Sequence, residues 1–205
     1  MNHIQFDFKA RYETLGNIDN PKRIWIVVHG YGQQAQYFIR KFKPLQDEET
    51  LVIAPEGLHH FYLKGFDGRV GASWMTKEDR CTDIDNYLSY LNTIYKQVIL
   101  PLVETDTEVN LLGFSQGGAT AARWYYANPN AFHRLILWSC VFPPDVEKEG
   151  HKKGSNNVYL VGTQDEFIDK NLRKKEVLFY QDIGFATHVY DGNHDIDAKV
   201  LSKIL

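Results

Sequence analysis

The chain is predicted to fold as one α/β domain over residues 1–205, with a mostly parallel central sheet and helices on both faces. Three observations carry this. Short, continuous, β-branched apolar runs recur along the chain, as strands covered on both faces require. Stretches with apolar residues at helical spacing alternate with them. No repeat or linker-like segment interrupts the alternation, and 205 residues are enough for one large core. Strand–helix alternation favours a parallel sheet, and reactive groups in such folds gather at the carboxyl ends of the strands.

Taken in order, Ile4 to Phe8 alternates apolar and polar residues, the pattern of an antiparallel edge strand. Ile24 to Val28 is a buried strand, stopped by His29-Gly30-Tyr31-Gly32. Gln34 to Leu45 suits a helix, and Leu51 to Ala54 a second buried strand, stopped by Pro55. Glu56 to Arg80 has no clean period but carries Phe61, Tyr62, Phe66 and Trp74 among glycines, which predicts a long, ordered, functional loop. Thr82 resembles a helix cap, with the helix running towards Leu102. Strands are expected at 109–114, 135–138, 158–161 and 187–190, and helices at 117–127, 168–180 and 195–205.

Composition narrows the function. Hydrophobic residues at 43% and charged residues at 24% are ordinary for a globular chain. A net charge of −3 without a long Lys/Arg block argues against a nucleic-acid partner. No apolar stretch approaches a membrane span, and Asp7, Lys9, Arg11 and Glu13 interrupt any signal-peptide core. Cys81 and Cys140 form neither a CxxC pair nor a disulfide framework, so a cytoplasmic location is expected. His59-His60 has poor spacing for a metal site, and no metal or cofactor is expected.

The sharpest signal is Gly113-Phe114-Ser115-Gln116-Gly117, which fits the G-x-S-x-G nucleophile elbow. The pattern alone arises by chance in about one chain in fifteen of this length. Here a buried strand precedes it and a small-residue helix follows, the context the elbow of an α/β-hydrolase fold demands. A serine hydroxyl needs a base, and in this fold the order is serine, acid, histidine. His194 follows the last strand and so falls at the same sheet edge as Ser115. His188 lies within that strand, His133 at the opposite edge and His151 among lysines in a surface loop. Asp165, after the strand at 158–161, is the expected acid, with Glu166, Asp169 and Asp191 as alternatives. Backbone N–H groups of Gln116 and Tyr31 are the expected oxyanion donors, and His29 a structural turn residue.

These residues resemble the phospholipase/carboxylesterase family, which includes acyl-protein thioesterases and small bacterial esterases. The resemblance spans nearly the whole chain and rests on HGYG at 29–32, Pro55-Glu56-Gly57, Ser73-Trp74, GFSQGG at 113–118, and the turns bearing Asp165 and His194. The chain departs from the family's pattern at Gly162-Thr163, where His-Gly often precedes the acid, and at Met75-Thr76 after the Ser-Trp pair. The resemblance implies hydrolysis of esters or thioesters of small-molecule or acyl substrates, without metal or cofactor. Trp74, by its place in the aromatic loop and its match to that pair, is expected to line the acyl side of the substrate cleft. No large cap domain is expected, with 56–80 and 141–155 shaping the rim of an open site. A lipase, a peptidase or a non-catalytic binding protein on the same fold are the alternatives.

Overall fold

The computed structural model describes residues 1–147 and 156–204; His151 and the far part of the 141–155 stretch lie outside them. The strands are β1 (Tyr12–Gly16), β2 (Arg23–Val28), β3 (Thr50–Pro55), β4 (His59–Lys64), β5 (Asp67–Ser73), β6 (Glu108–Phe114), β7 (Arg134–Trp138), β8 (Val158–Gly162) and β9 (Ala186–Tyr190). Seven form one sheet in the order β1-β3-β2-β6-β7-β8-β9, and every pairing in it is parallel except β1 with β3.

Helices cover both faces, and the alternation of side chains shows how. In β2, Ile24, Ile26 and Val28 enter one core, while Trp25 and Val27 enter the other. The first core is roofed by α2 (Arg80–Ile94), α3 (Gln116–Ala127) and α4 (Lys170–Asp182), through Tyr87, Leu91, Trp124 and Tyr180. The second is roofed by α1 (Ala35–Phe38), the tight turns at Ile39–Leu45 that follow it, and α5 (Ala198–Ile204). Because β2, β3, β6, β7 and β8 each contribute to both cores, their sequences are continuously apolar, and that is why these strands were visible in the sequence.

Four expectations need correction. The edge strand is Tyr12–Gly16, paired with β3, and not Ile4 to Phe8, whose Ile4, Phe6 and Phe8 side chains point into solvent. Alternation alone cannot tell a half-buried strand from an exposed segment. The Glu56–Arg80 stretch is not one irregular loop, because β4 and β5 form a separate antiparallel hairpin. Most of its residues are exposed on both faces, so no apolar period marks it. The Gln34–Leu45 helix is α-helical only over Ala35–Phe38 before it tightens towards Pro44. Finally, α2 begins at Arg80 with Asp79 in the cap position, so Thr82 lies inside the helix. Beyond Ile94 the same helix widens and then tightens up to Leu102. Pro101 there has no N–H to continue the ladder.

Candidate active site

The site is assembled from turns that leave the carboxyl ends of β2, β6, β8 and β9. At the end of β6, Ser115 adopts φ 54° and ψ −121°, a left-handed conformation rare for a residue with a Cβ. Its backbone is held from both sides: Ser115 N–H donates to Trp138 O at 2.9 Å, and Gly118 N–H donates to Ser115 O at 2.9 Å. Gly117 is required here, because a Cβ on it would run into the carbonyl oxygens of Val28 and His29 at the end of β2. The turn therefore presses against its neighbouring strand, and the serine side chain is thrust above the sheet edge.

The histidine and acid turns meet in the same way. Gly162 backs directly onto the Gly192 carbonyl, where any Cβ would collide. Gln164 N–H donates to Gly192 O at 2.8 Å, and Thr163 N–H to Tyr190 O at 2.8 Å. Locked together, they aim His194 and Asp165 at each other. His194 Nδ1 is 2.8 Å from Asp165 Oδ2, and His194 Nε2 is 2.9 Å from Ser115 Oγ. A carboxylate only accepts, so Nδ1 carries the proton and Nε2 is free to accept from the serine hydroxyl.

Asp165 is fully buried, yet every oxygen is occupied. Its Oδ1 accepts from the backbone N–H groups of Phe167 (2.9 Å) and Ile168 (3.0 Å), while Oδ2 faces the imidazole. The alternative acids are placed elsewhere. Asp169 caps α4 by accepting from Asn171 and Leu172 N–H, Asp191 accepts from Thr163 Oγ1 and Gln164 Nε2, and Glu166 is exposed. Of the other histidines, His133 accepts from Val109 N–H at the amino end of the sheet, and His188 lies within β9. His59 and His60 pair with Asp83 and Glu56.

The turn after β2 lies against the serine, where a Cβ on Gly30 would meet Ser115 Cβ at 3.1 Å. Gly30 N–H donates to Gln33 Oε1 and Gly32 N–H to Ala72 O, leaving Tyr31 N–H without an acceptor among the described residues. Gln116 N–H, at the first position of α3, has no intrahelical partner by construction. The Gln116 side chain is a clamp that sequence reasoning missed: Oε1 accepts from Trp74 N–H at 3.0 Å, and Nε2 donates to Met75 O at 2.8 Å. A glutamine directly after the serine was the only available signal.

His29 lies beneath this turn. Its Nε2 accepts from Gly57 N–H at 2.9 Å, so Nδ1 donates to Gly30 O at 2.8 Å. Burial pushes the imidazole down to about 4, so it is neutral and ties two turns together. The expectation that Trp74 lines the cleft is overturned. Its side chain has 0% exposure, its ring packs between His29 and Tyr87, and Nε1–H donates to His29 O at 2.9 Å. A buried indole must satisfy its N–H, and the carbonyl at the end of β2 does so from within the core.

Two aromatic rings bracket His194. Phe114, from the elbow itself, lies 4.9 Å away and is buried; Phe167 lies 4.7 Å away, edge-on, and is 69% exposed. In the turn after β2, Tyr31 stacks on Phe61 of the hairpin at 4.9 Å. The 141–147 segment is tied down where Arg123 donates to Asp145 at 2.7 Å through both Nε and Nη2.

Comparison with known proteins agrees with this architecture. The family model described as phospholipase/carboxylesterase matches residues 12–205. Esterase PE8 superposes with a TM-score of 0.68 at 19% identity, covering 97% of this chain and 100% of that one. The Bacillus cereus carboxylesterase gives 0.68 at 14% identity over 95% and 91%, and Zea mays acyl-protein thioesterase 2 gives 0.67 at 14% over 96% and 99%. At such identities the likeness is one of fold. No curated protein matches the chain in sequence.

Proposed function

The chain belongs to the phospholipase/carboxylesterase family, and from that premise we propose that it is a serine hydrolase that cleaves carboxylic esters or thioesters through an acyl-enzyme on Ser115. The observation that carries this reading is the unbroken chain of hydrogen bonds from Ser115 Oγ through His194 to the buried Asp165. Ser115 Oγ attacks the substrate carbonyl as His194 Nε2 takes its proton. Asp165 holds the imidazole in one tautomer and stabilises the imidazolium. The negative charge on the former carbonyl oxygen falls to Tyr31 N–H and Gln116 N–H. His194 then returns the proton to the departing oxygen or sulfur, and the bond to the carbonyl carbon breaks. In the second half, the same imidazole takes a proton from water, which attacks the acyl-enzyme and frees Ser115.

The whole chain acts as one domain in this reading. Ser115→Ala should lower ester hydrolysis by at least about a thousandfold with the melting temperature unchanged. A fluorophosphonate probe should label the native protein and not the variant. Labelling of both, or retention of more than a few per cent of activity, would remove Ser115 as the nucleophile.

A further inference from the structure

Phe167 is an exposed phenyl ring set against a group that must exchange protons. An aromatic ring left 69% in solvent gains little for the fold, so its position asks for another account. The backbone of Phe167 is fixed, because its N–H donates to Oδ1 of the same carboxylate that faces His194 through Oδ2. Its ring meets the imidazole edge-on at 4.7 Å with an interplanar angle of 65°. The inner side of the imidazole is already closed by Phe114, whose ring is buried. Phe167 is thus an aromatic wall on the solvent side of His194, and much of its surface is still unoccupied.

Chemistry identifies what comes to that wall. When the tetrahedral species collapses, the bond from carbonyl carbon to leaving oxygen or sulfur breaks, its electron pair stays on that atom, and the proton on His194 Nε2 passes to it. The leaving group must therefore stand within hydrogen-bond reach of Nε2. We propose that the outward surface of Phe167 is the binding surface for the leaving group, and that it selects esters of planar, apolar alcohols or thiols over small aliphatic ones. The proposal rests on the hydrolase reading above and adds a specificity to it. Its physical basis is apolar burial together with ring-on-ring contact, which is lost when the leaving group has no ring.

The test holds the acyl group constant and varies the alcohol. With benzyl acetate and ethyl acetate, the native protein should favour the benzyl ester in kcat/KM, and Phe167→Ala should reduce that ratio roughly three- to tenfold. Phe167→Tyr should keep the ratio, because it keeps the ring. Phe167→Leu, which keeps apolar volume without a ring, should fall between them and serves if the alanine variant folds poorly. Fluorophosphonate labelling of each variant reports that Ser115 and His194 are still assembled. An unchanged ratio in labelled Phe167→Ala overturns the proposal. So does an equal loss on both esters with a displaced pH profile, which would make Phe167 only a shield of the imidazole. A native protein that is neither labelled nor active on either ester overturns the hydrolase reading itself, and this inference with it.

Discussion

The Ser115 turn and the β4–β5 hairpin stand at the same edge of the sheet and are built on opposite terms. In the turn, a strained serine is over-determined by backbone hydrogen bonds and by glycines that allow no side chain. In the hairpin, the two strands form a sheet of their own, and Phe66 at the tip is 96% exposed. The hairpin touches the body at its base, where Gln33 bridges to Ala72 and Gln116 clamps Trp74. The difference teaches that the residues proposed to carry the chemistry sit where hydrogen bonds and close-packed glycines fix the backbone, whereas the exposed apolar surface is borne by a hairpin held mainly near its base.

Substitutions can break this contrast in descending order of effect. Asp165→Asn, deep in the rigid part, should lower kcat by about ten-thousandfold, since the amide can donate to His194 Nδ1 and favour the wrong tautomer. The fold should survive, because one side-chain oxygen can still accept from Phe167 and Ile168 N–H. Steady-state kinetics beside thermal unfolding checks both halves, and a loss below tenfold would break the assignment. Trp74→Ala should cost about 3 to 5 kcal/mol of stability. Denaturant unfolding measures it, and a cost under 1 kcal/mol would show that the base of the hairpin is not part of the core.

His29 offers a pH test of the rigid part. Burial holds its folded-state value at about 4, below the ordinary 6.5. As pH falls, the unfolded chain takes up the proton first. This contribution to stability is therefore complete above about pH 6.5 and is lost as pH falls through 4, by up to about 3 kcal/mol. His29→Gln should be less stable at neutral pH, yet show a flatter decline between pH 6.5 and 4. Equal slopes in urea titrations of the two proteins would exclude His29 as the source. At the other extreme, Phe66→Ser at the hairpin tip should shift stability by no more than about 0.5 kcal/mol. A larger destabilisation would show that the tip is packed and the contrast false.

The same contrast decides what could be read from the chain before folding. The elbow was legible because its backbone path admits so few residue types: glycines at 113 and 117, a buried strand before and small residues after. β2, β3, β6, β7 and β8 were legible because burial on two faces leaves no room for polar residues. Asp165 and His194 were chosen from their positions after particular strands, which fold order dictates, and the structure brings their side chains within 2.8 Å. The hairpin was not legible, since two solvated faces impose no period. Trp74 was misplaced for a related reason: an aromatic residue among glycines looks the same whether it faces a cleft or plugs a core. Its direction is set by one carbonyl, that of His29, forty-five positions away in the chain.

Gln116 has a consequence for how this protein could be re-engineered. One side chain joins the helix after Ser115 to Ser73, Trp74 and Met75, so the root of the hairpin is seated in the same block as Ser115. Beyond that root, the hairpin still meets the body through Leu63, packed against Gly32, and through Arg69, over the Tyr37 ring. Only the tip, residues 64–68, is free of such contacts among the described residues, so exchanging it is expected to leave the elbow set, provided Leu63, Arg69, residues 71–75 and Gln116 are carried unchanged.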